Sequence, residues 1–129
     1  MKKEKSCGTI IIKNDEVLII RQKSGFCGFP KGHVENGETE VETAIRETKE
    51  ETNIDVEVNE SLRFEMSYIT DKNIDKTVVF FVAKPTTEEI IIQEEELSDA
   101  KWVKFDEVED NLTFDNAKEL WREVYSKIK

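Results

Sequence analysis

The chain has 129 residues, of which 37% are apolar and 37% charged, and its formal net charge is −10. This length predicts one domain over residues 1–129 and is too short for two ordinary domains. The acidic balance disfavours a broad basic surface for nucleic acid, and no apolar run approaches the roughly 18 residues that a membrane span needs.

The first part of the chain predicts a β-hairpin followed by a glycine-rich loop. Two β-rich runs, residues 7–12 and 17–21, flank Asn14-Asp15, which tolerate the positive φ of a tight turn. Residues 25–37 then contain four glycines and Pro30. These residues break regular structure and let backbone groups approach a ligand, so we expect a functional loop, although a plain connector has the same composition.

A helix is predicted from Thr39 to about Asn53. Thr39 and Glu42 have the spacing of a capping box, and Asn53 suits the left-handed conformation that ends many helices. Helical spacing predicts one buried stripe on this helix, formed by Val41, Ala44, Ile45 and Thr48.

Strands and a second helix are predicted for the remainder. Strands are expected at residues 54–58, 62–70 and 77–83, with shorter candidates at 90–92 and 100–105. Alternate residues of the 62–70 run share one face: Leu62, Phe64, Met66, Tyr68 and Thr70. The C-terminal segment has one apolar helical face, formed by Ala117, Leu120, Trp121, Val124, Tyr125 and Ile128. This order of elements predicts an α/β (α+β) fold with helices packed on a mixed sheet.

Three carboxylates on the first helix carry the strongest functional signal. Glu47, Glu50 and Glu51 lie at i, i+3 and i+4, so they repel one another unless they splay into water or hold a hard divalent cation. A solvated face is the common outcome for an acidic helix. Here a glycine-rich loop leads into the helix, Arg46 offers a partner for one carboxylate, and Glu38 adds a further acid. Magnesium suits carboxylates together with substrate phosphates, so these residues predict a magnesium site.

The spacing of these residues resembles the signature of the Nudix hydrolases, Gly-x5-Glu-x7-Arg-Glu-U-x-Glu-Glu-x-Gly-U, in which U is aliphatic. The matching residues are Gly32, Glu38 and the run Arg46-Glu47-Thr48-Lys49-Glu50-Glu51-Thr52-Asn53-Ile54. Thr48 replaces an aliphatic residue and Asn53 replaces the last glycine. Since threonine can still pack and asparagine accepts a left-handed cap, we expect neither change to abolish activity.

The resemblance implies an α/β/α sandwich in which a loop-helix-loop motif binds divalent ions, Mg2+ or else Mn2+. The implied metal ligands are three carboxylates and one backbone carbonyl: Glu47, Glu50, Glu51 and Gly32. Glu38 would act through water or by orientation, and Arg46 would orient a glutamate. Glu50 and Glu51 are expected to be indispensable, and the general base would be Glu51 or a member of the 94–96 patch.

Flanking residues resemble the asymmetrical diadenosine tetraphosphate hydrolases within this family. The residues that carry this resemblance are 6–8, 29–35, 44–48, 67–68, 76–78, Trp102 and Phe114. It implies that Tyr68 and Phe114 stack on adenine, while Lys31 and Lys76 supply positive charge to the phosphates. His33, the only histidine, is a candidate acid or hydrogen-bond donor near the scissile phosphate, because the ordinary pKa of histidine lies near neutrality. Each of these residues also has an ordinary alternative, namely a core ring, a solvated lysine or a loop histidine.

The leading hypothesis is therefore hydrolysis of a small nucleotide, a dinucleoside tetraphosphate, into a nucleoside triphosphate and a monophosphate. Removal of pyrophosphate from the 5′ end of RNA is an alternative that the acidic composition disfavours, and cleavage of modified nucleoside triphosphates is another. A catalytically silent nucleotide sensor would be expected to lose a metal-binding glutamate, and none is lost here. The charged start, Met-Lys-Lys-Glu-Lys, is unlike a secretion signal, so we expect a cytoplasmic protein with Cys7 and Cys27 as free thiols. The sequence does not specify an oligomeric state.

Overall fold

The predicted N-terminal hairpin is present in the computed structural model, which describes residues 1–129. Strand β1 spans Lys3–Lys13 and strand β2 spans Glu16–Gln22, and they pair antiparallel. Asn14 adopts a φ of 58° in the turn between them, a conformation that asparagine tolerates well.

The segment predicted as a loop contains two short strands, so that prediction was only partly correct. Strand β3, Cys27–Gly28, pairs with β2, and strand β4, Lys31–His33, pairs with β1. The approach of β4 depends on Gly8 in β1, because a β-carbon there would overlap the carbonyl of Pro30 and the side chain of Lys31.

Helix α1 spans Glu40–Thr52 and has both predicted caps. Thr39 and Glu42 form the capping box, and Asn53 has a φ of 67°. The predicted stripe was wrong at Ile45, which is 38% exposed. The buried face instead extends toward Thr52, and the buried residues of the helix are Thr43, Ala44, Thr48, Glu51 and Thr52.

One long strand, β5 at Val56–Ile69, replaces the two strands predicted at 54–58 and 62–70. Its register with the next strand, β6 at Asp75–Pro85, shifts between Asn59 and Arg63, which explains why the sequence pattern suggested a break. The predicted face of β5 is correct, since Phe64 is buried and Leu62, Met66 and Tyr68 pack partly against the core.

Residues 90–92 do not form the predicted strand. The amide of Ile91 donates to the carbonyl of Thr52 (3.0 Å), and the amide of Gln93 donates to the carbonyl of Glu51 (3.0 Å). This segment therefore closes the end of α1, and its backbone groups are used there instead of in a sheet.

The C-terminal part begins with strand β7, Leu97–Lys104, followed by a 3-10 turn at Phe105–Glu107 and the short helix α2 at Val108–Asn111. Helix α3, Asp115–Ile128, ends the chain and buries its predicted apolar face.

The mixed sheet lies between α1 and α3, which confirms the predicted α/β/α sandwich. The strand order is β3-β2-β1-β6-β5, with β1 and β6 parallel, while β4 joins β1 and β7 joins β2. Alternate residues of β6 face opposite sides: Val78 and Phe80 join α3 in a core of 15 buried residues, whereas Val79 and Phe81 join α1 in a smaller one. Both cysteines are free, and no helix is long and apolar enough to cross a membrane.

Candidate active site

Arg46 lies at the centre of the glutamate cluster and contacts both the loop and the helix. Its Nη1 donates to Glu47 Oε1 at 2.9 Å and to both oxygens of Glu50 at 3.2 Å. Its Nη2 donates to the carbonyl oxygen of His33 at 3.0 Å. The structure therefore brings Arg46 to two of the three helix glutamates and attaches them to the glycine-rich segment.

Glu38 is the most fully bonded carboxylate of the site. Arg46 donates to it through Nε (2.7 Å) and Nη2 (3.0 Å), and the Glu35 amide and the Thr43 hydroxyl donate to Oε1. The Arg46 hydrogen bonds, followed by the Glu35 amide, lower the pKa of Glu38 to about 2. Both of its oxygens are engaged by protein donors, so its position supports a role in orientation.

Glu51 has the opposite electrostatic environment. Glu51 is only 6% exposed, and its Oε1 accepts a hydrogen bond from the backbone N–H of Lys31 at 2.9 Å. The pKa of Glu51 is raised to about 8, mainly by burial and also by the charges of Glu47 and Glu96, against the opposing effects of Lys31. A carboxyl group with such a pKa exchanges its proton near neutral pH.

Gly32 touches the carboxylate of Glu47. A β-carbon at this position would overlap the carboxyl carbon and both oxygens of Glu47, so only glycine lets the loop backbone come so close. Burial raises the pKa of Glu47, while the Arg46 contacts lower it. The predicted ligands Gly32 and Glu47 are therefore neighbours in space.

Glu96 is the member of the 94–96 patch whose charge acts on the site. Its negative charge raises the pKa of both Glu47 and Glu51. The bond between the Gln93 amide and the Glu51 carbonyl holds this loop beside the helix end. Sequence alone could not select Glu96 among three adjacent glutamates, because the choice depends on the turn at residues 94–96.

The donor set fits a hard divalent cation in its chemistry. Three carboxylates and the Gly32 carbonyl are all oxygen ligands, and Glu51 is a buried acid whose proton a cation would replace. In the arrangement described, no three side chains of His, Cys, Asp or Glu converge closely enough to hold a metal ion. Glu47 and Glu50 turn toward Arg46 instead, and the Glu50 side chain, 48% exposed, has room to turn back.

A cleft of about 320 Å³ is lined by three of the five predicted substrate residues, Lys31, Tyr68 and Phe114, and Lys31 connects it to the glutamates through its backbone hydrogen bond to Glu51. It is mostly apolar, and sequence reasoning missed Phe26, whose ring centroid lies 4.9 Å from that of Phe114. Phe114 precedes α3 and is 49% exposed. A larger groove of about 650 Å³, which includes Glu57 and Lys84, contains none of the predicted site residues.

The other two predicted substrate residues, His33 and Lys76, lie together. His33 Nε2 is 3.4 Å from Lys76 Nζ and 3.6 Å from Glu4 Oε2, and sequence reasoning missed Glu4. Glu4 lies opposite Lys76 because β1 and β6 pair in parallel, and this pairing is known only from the structure. Burial lowers the pKa of Lys31, and the nearby positive charge of Lys76 lowers it further.

Comparisons with known proteins identify the family and the fold of the chain. Residues 2–123 match the NUDIX domain family. The asymmetrical bis(5′-nucleosyl)-tetraphosphatase of Rattus norvegicus is 31% identical, with 92% of this chain and 91% of that protein covered. Nudix hydrolase 2 of Arabidopsis thaliana is 37% identical over 76% of this chain, which spans only 37% of that relative. A crystal structure of a C. elegans Ap4A hydrolase binary complex superposes with a TM-score of 0.86 at 26% identity, covering 97% of each chain.

Proposed function

We propose that this chain, which belongs to the Nudix hydrolase family, hydrolyses diadenosine tetraphosphate asymmetrically to ATP and AMP. The observation that carries the proposal is that Lys31 contacts both the glutamate cluster and the cleft. Its backbone N–H binds Glu51, and its side chain forms part of the aromatic cleft. A nucleotide whose base enters that cleft would have its phosphate chain beside the glutamates.

The cleft suits a nucleobase. Tyr68 and Phe114 line it, and stacking on an aromatic ring contributes roughly 1 to 3 kcal/mol per base. The volume of about 320 Å³ is at the small end of ligand pockets, which suits one base. The second nucleoside would then lie outside the cleft, and this unequal environment for the two halves supports asymmetrical cleavage.

The basic residues suit a polyphosphate. Since the protein carries a net charge of −10, an anionic substrate needs a local positive region. The positive charge of Lys76 lowers the pKa of Lys31, and an anion between the two side chains would relieve that repulsion. His33, 3.4 Å from Lys76, would add a hydrogen bond to the same phosphates.

The helix glutamates would supply the chemistry together with a divalent ion. An ion held by Glu47, Glu50, Glu51 and the Gly32 carbonyl would neutralise phosphate oxygens and acidify a water molecule. The reaction adds that water across one anhydride: its oxygen bonds to phosphorus, the bridging P–O bond breaks, and the leaving phosphate oxygen takes a proton. Lys31 holds Glu51 Oε1, so Glu51 would take the proton of the water at Oε2, and Glu96 is the second candidate for this role.

The decisive test is product analysis. The protein is incubated with diadenosine tetraphosphate and either Mg2+ or Mn2+, and the products are separated by ion exchange beside parallel reactions on triphosphorylated RNA and single nucleoside triphosphates. Equal amounts of ATP and AMP, formed faster than any other product and abolished by a chelator, are expected. Two equivalents of ADP, or faster turnover of RNA or a nucleoside triphosphate, would overturn the assignment of substrate.

Variants of the glutamates test the mechanism separately from the substrate. Glu50→Gln and Glu51→Gln should fold normally and reduce turnover by orders of magnitude, whichever anhydride is cleaved. Near wild-type rates in both variants would contradict the proposed roles. Glu96→Gln then separates the two candidate bases: a fall in kcat by orders of magnitude would assign the role to Glu96, whereas a kcat near the wild-type value would leave it with Glu51.

A further inference from the structure

The buried face of α1 carries three hydroxyl groups, of which the predicted stripe included only that of Thr48. Thr43, Thr48 and Thr52 are all fully buried. Thr48 Oγ1 lies 2.6 Å from Thr9 Oγ1 across the boundary between α1 and β1, and the Thr52 hydroxyl donates to the Thr48 carbonyl at 2.7 Å. The helix therefore contacts the sheet through a directional hydrogen bond at the position where the Nudix signature has an aliphatic residue.

Thr9 also binds the loop that lies over the site. Its backbone N–H donates to the carbonyl oxygen of Pro30 at 3.1 Å. The next residue, Lys31, donates its own N–H to Glu51 Oε1 at 2.9 Å. Thr9 thus holds the helix through its side chain and the loop through its backbone, and the Lys31–Glu51 hydrogen bond joins the two parts that it holds.

We propose that Thr9 and Thr48 are positioning residues whose hydroxyl pair sets the placement of α1 against the loop, so that the Glu51 carboxylate receives the Lys31 amide. Thr48 follows Glu47 directly and precedes Glu51 by about one helical turn, so a shift at Thr48 moves both carboxylates. A shift of the helix would also leave two buried hydroxyls without partners, and the cost of unpaired buried groups specifies one placement. The inference rests on the proposed role of Glu51.

The alternative is that the hydroxyl pair only adds stability. The double variant Thr9→Val/Thr48→Val separates these cases, because replacing both partners of a buried hydrogen bond by apolar groups of similar shape is often nearly neutral for stability. The double variant keeps the packed volume between α1 and β1 but removes the directional hydrogen bond between them. Thr9→Ser/Thr48→Ser is the matched control, since it keeps both hydroxyls and removes both methyl groups.

Two measurements decide the case. Amide hydrogen exchange of Lys31, followed by NMR in metal-free protein, reports its bond to Glu51 without any substrate. The kcat and KM are then measured with Mg2+ on the anhydride that the wild type cleaves fastest. The double valine variant should melt close to the wild type, exchange the Lys31 amide about tenfold faster and lose roughly 10- to 100-fold in kcat, with KM little changed. The serine control should keep the exchange and kcat of the wild type.

Wild-type protection of the Lys31 amide and wild-type kcat in the double valine variant would overturn the inference. If that variant does not fold, Thr9→Ala/Thr48→Ala replaces it, since it also removes both hydroxyls and leaves neither unpaired, and the proposal requires both readouts to follow the loss of the hydroxyls. If the wild type cleaves no dinucleotide, the assignment of substrate fails, but the exchange of the Lys31 amide still decides whether Thr9 and Thr48 position the site.

Discussion

Replacing Glu51 with glutamine should stabilise the metal-free protein, and the gain should grow with pH. The folded protein holds the proton of Glu51 more tightly than the unfolded chain does, since burial raises the pKa of this carboxyl from 4.5 to about 8. The stability that this group contributes is therefore complete below about pH 4.5 and is lost as the pH rises through about 8. Glutamine keeps the amide oxygen for the Lys31 N–H and has no proton to lose.

The size of the effect follows from the same pKa values. One pKa unit corresponds to about 1.4 kcal/mol, so the difference between 4.5 and about 8 corresponds to about 5 kcal/mol at high pH. Roughly 3 kcal/mol of this falls between about pH 5.5 and 8.5. That is a large fraction of the 5 to 15 kcal/mol by which domains are typically stable.

Urea unfolding of wild type and Glu51→Gln, in the presence of a chelator and at several pH values, measures this difference directly. The control is Glu123→Gln, which removes an exposed carboxylate from α3 and should show no such trend. Added Mg2+ should stabilise the wild type at high pH and have much less effect on Glu51→Gln. A difference between Glu51→Gln and wild type that stays constant from pH 5.5 to 8.5 would refute the reasoning.

Three further positions, Arg46, Gly32 and Tyr68, give predictions for the rest of the site. Arg46→Lys should lower kcat by at least roughly tenfold in a steady-state assay, because an ammonium group cannot replace the forked contacts of the guanidinium. Gly32→Ala should weaken Mg2+ binding in titration calorimetry, because its β-carbon displaces Glu47, whereas Gly28→Ala, with open space around its β-carbon, should not. Tyr68→Ala should raise KM by roughly 5- to 150-fold if the ring stacks on a base, and Tyr68→Phe should stay near wild type.

Local sequence signals predicted helix α1 and its ends. The capping box and the left-handed Asn53 involve contacts within a few residues, and both have the expected geometry. The face of β5 was predicted equally well, because alternation along a strand requires no knowledge of the partner strand. The spacing of the glutamates likewise fixes which side of the helix they share.

Features that depend on distant contacts could not be predicted from the sequence. The exposure of Ile45 depends on how α1 packs on the sheet, and one contact in that interface joins Thr48 to Thr9, 39 residues earlier in the chain. Residues 90–92 have the composition of a strand, but the end of α1 takes their amide hydrogen bonds. Glu4 comes to His33 only because β1 lies between β4 and β6.

The carboxyl groups of Glu38 and Glu51 have pKa values that are shifted in opposite directions, and this difference affects how the cluster binds a cation. Arg46 contacts Glu38 directly and lowers its pKa to about 2, whereas Glu51 receives only a backbone amide and burial raises its pKa to about 8. When a cation binds at neutral pH, the charge of Glu38 is therefore already neutralised by Arg46, whereas Glu51 still holds a proton. Metal binding at pH 7 should release about one proton from Glu51. Calorimetric titration of Mg2+ in buffers of different ionisation enthalpy measures that number, and a value near zero would show that Glu51 is already ionised in the metal-free protein.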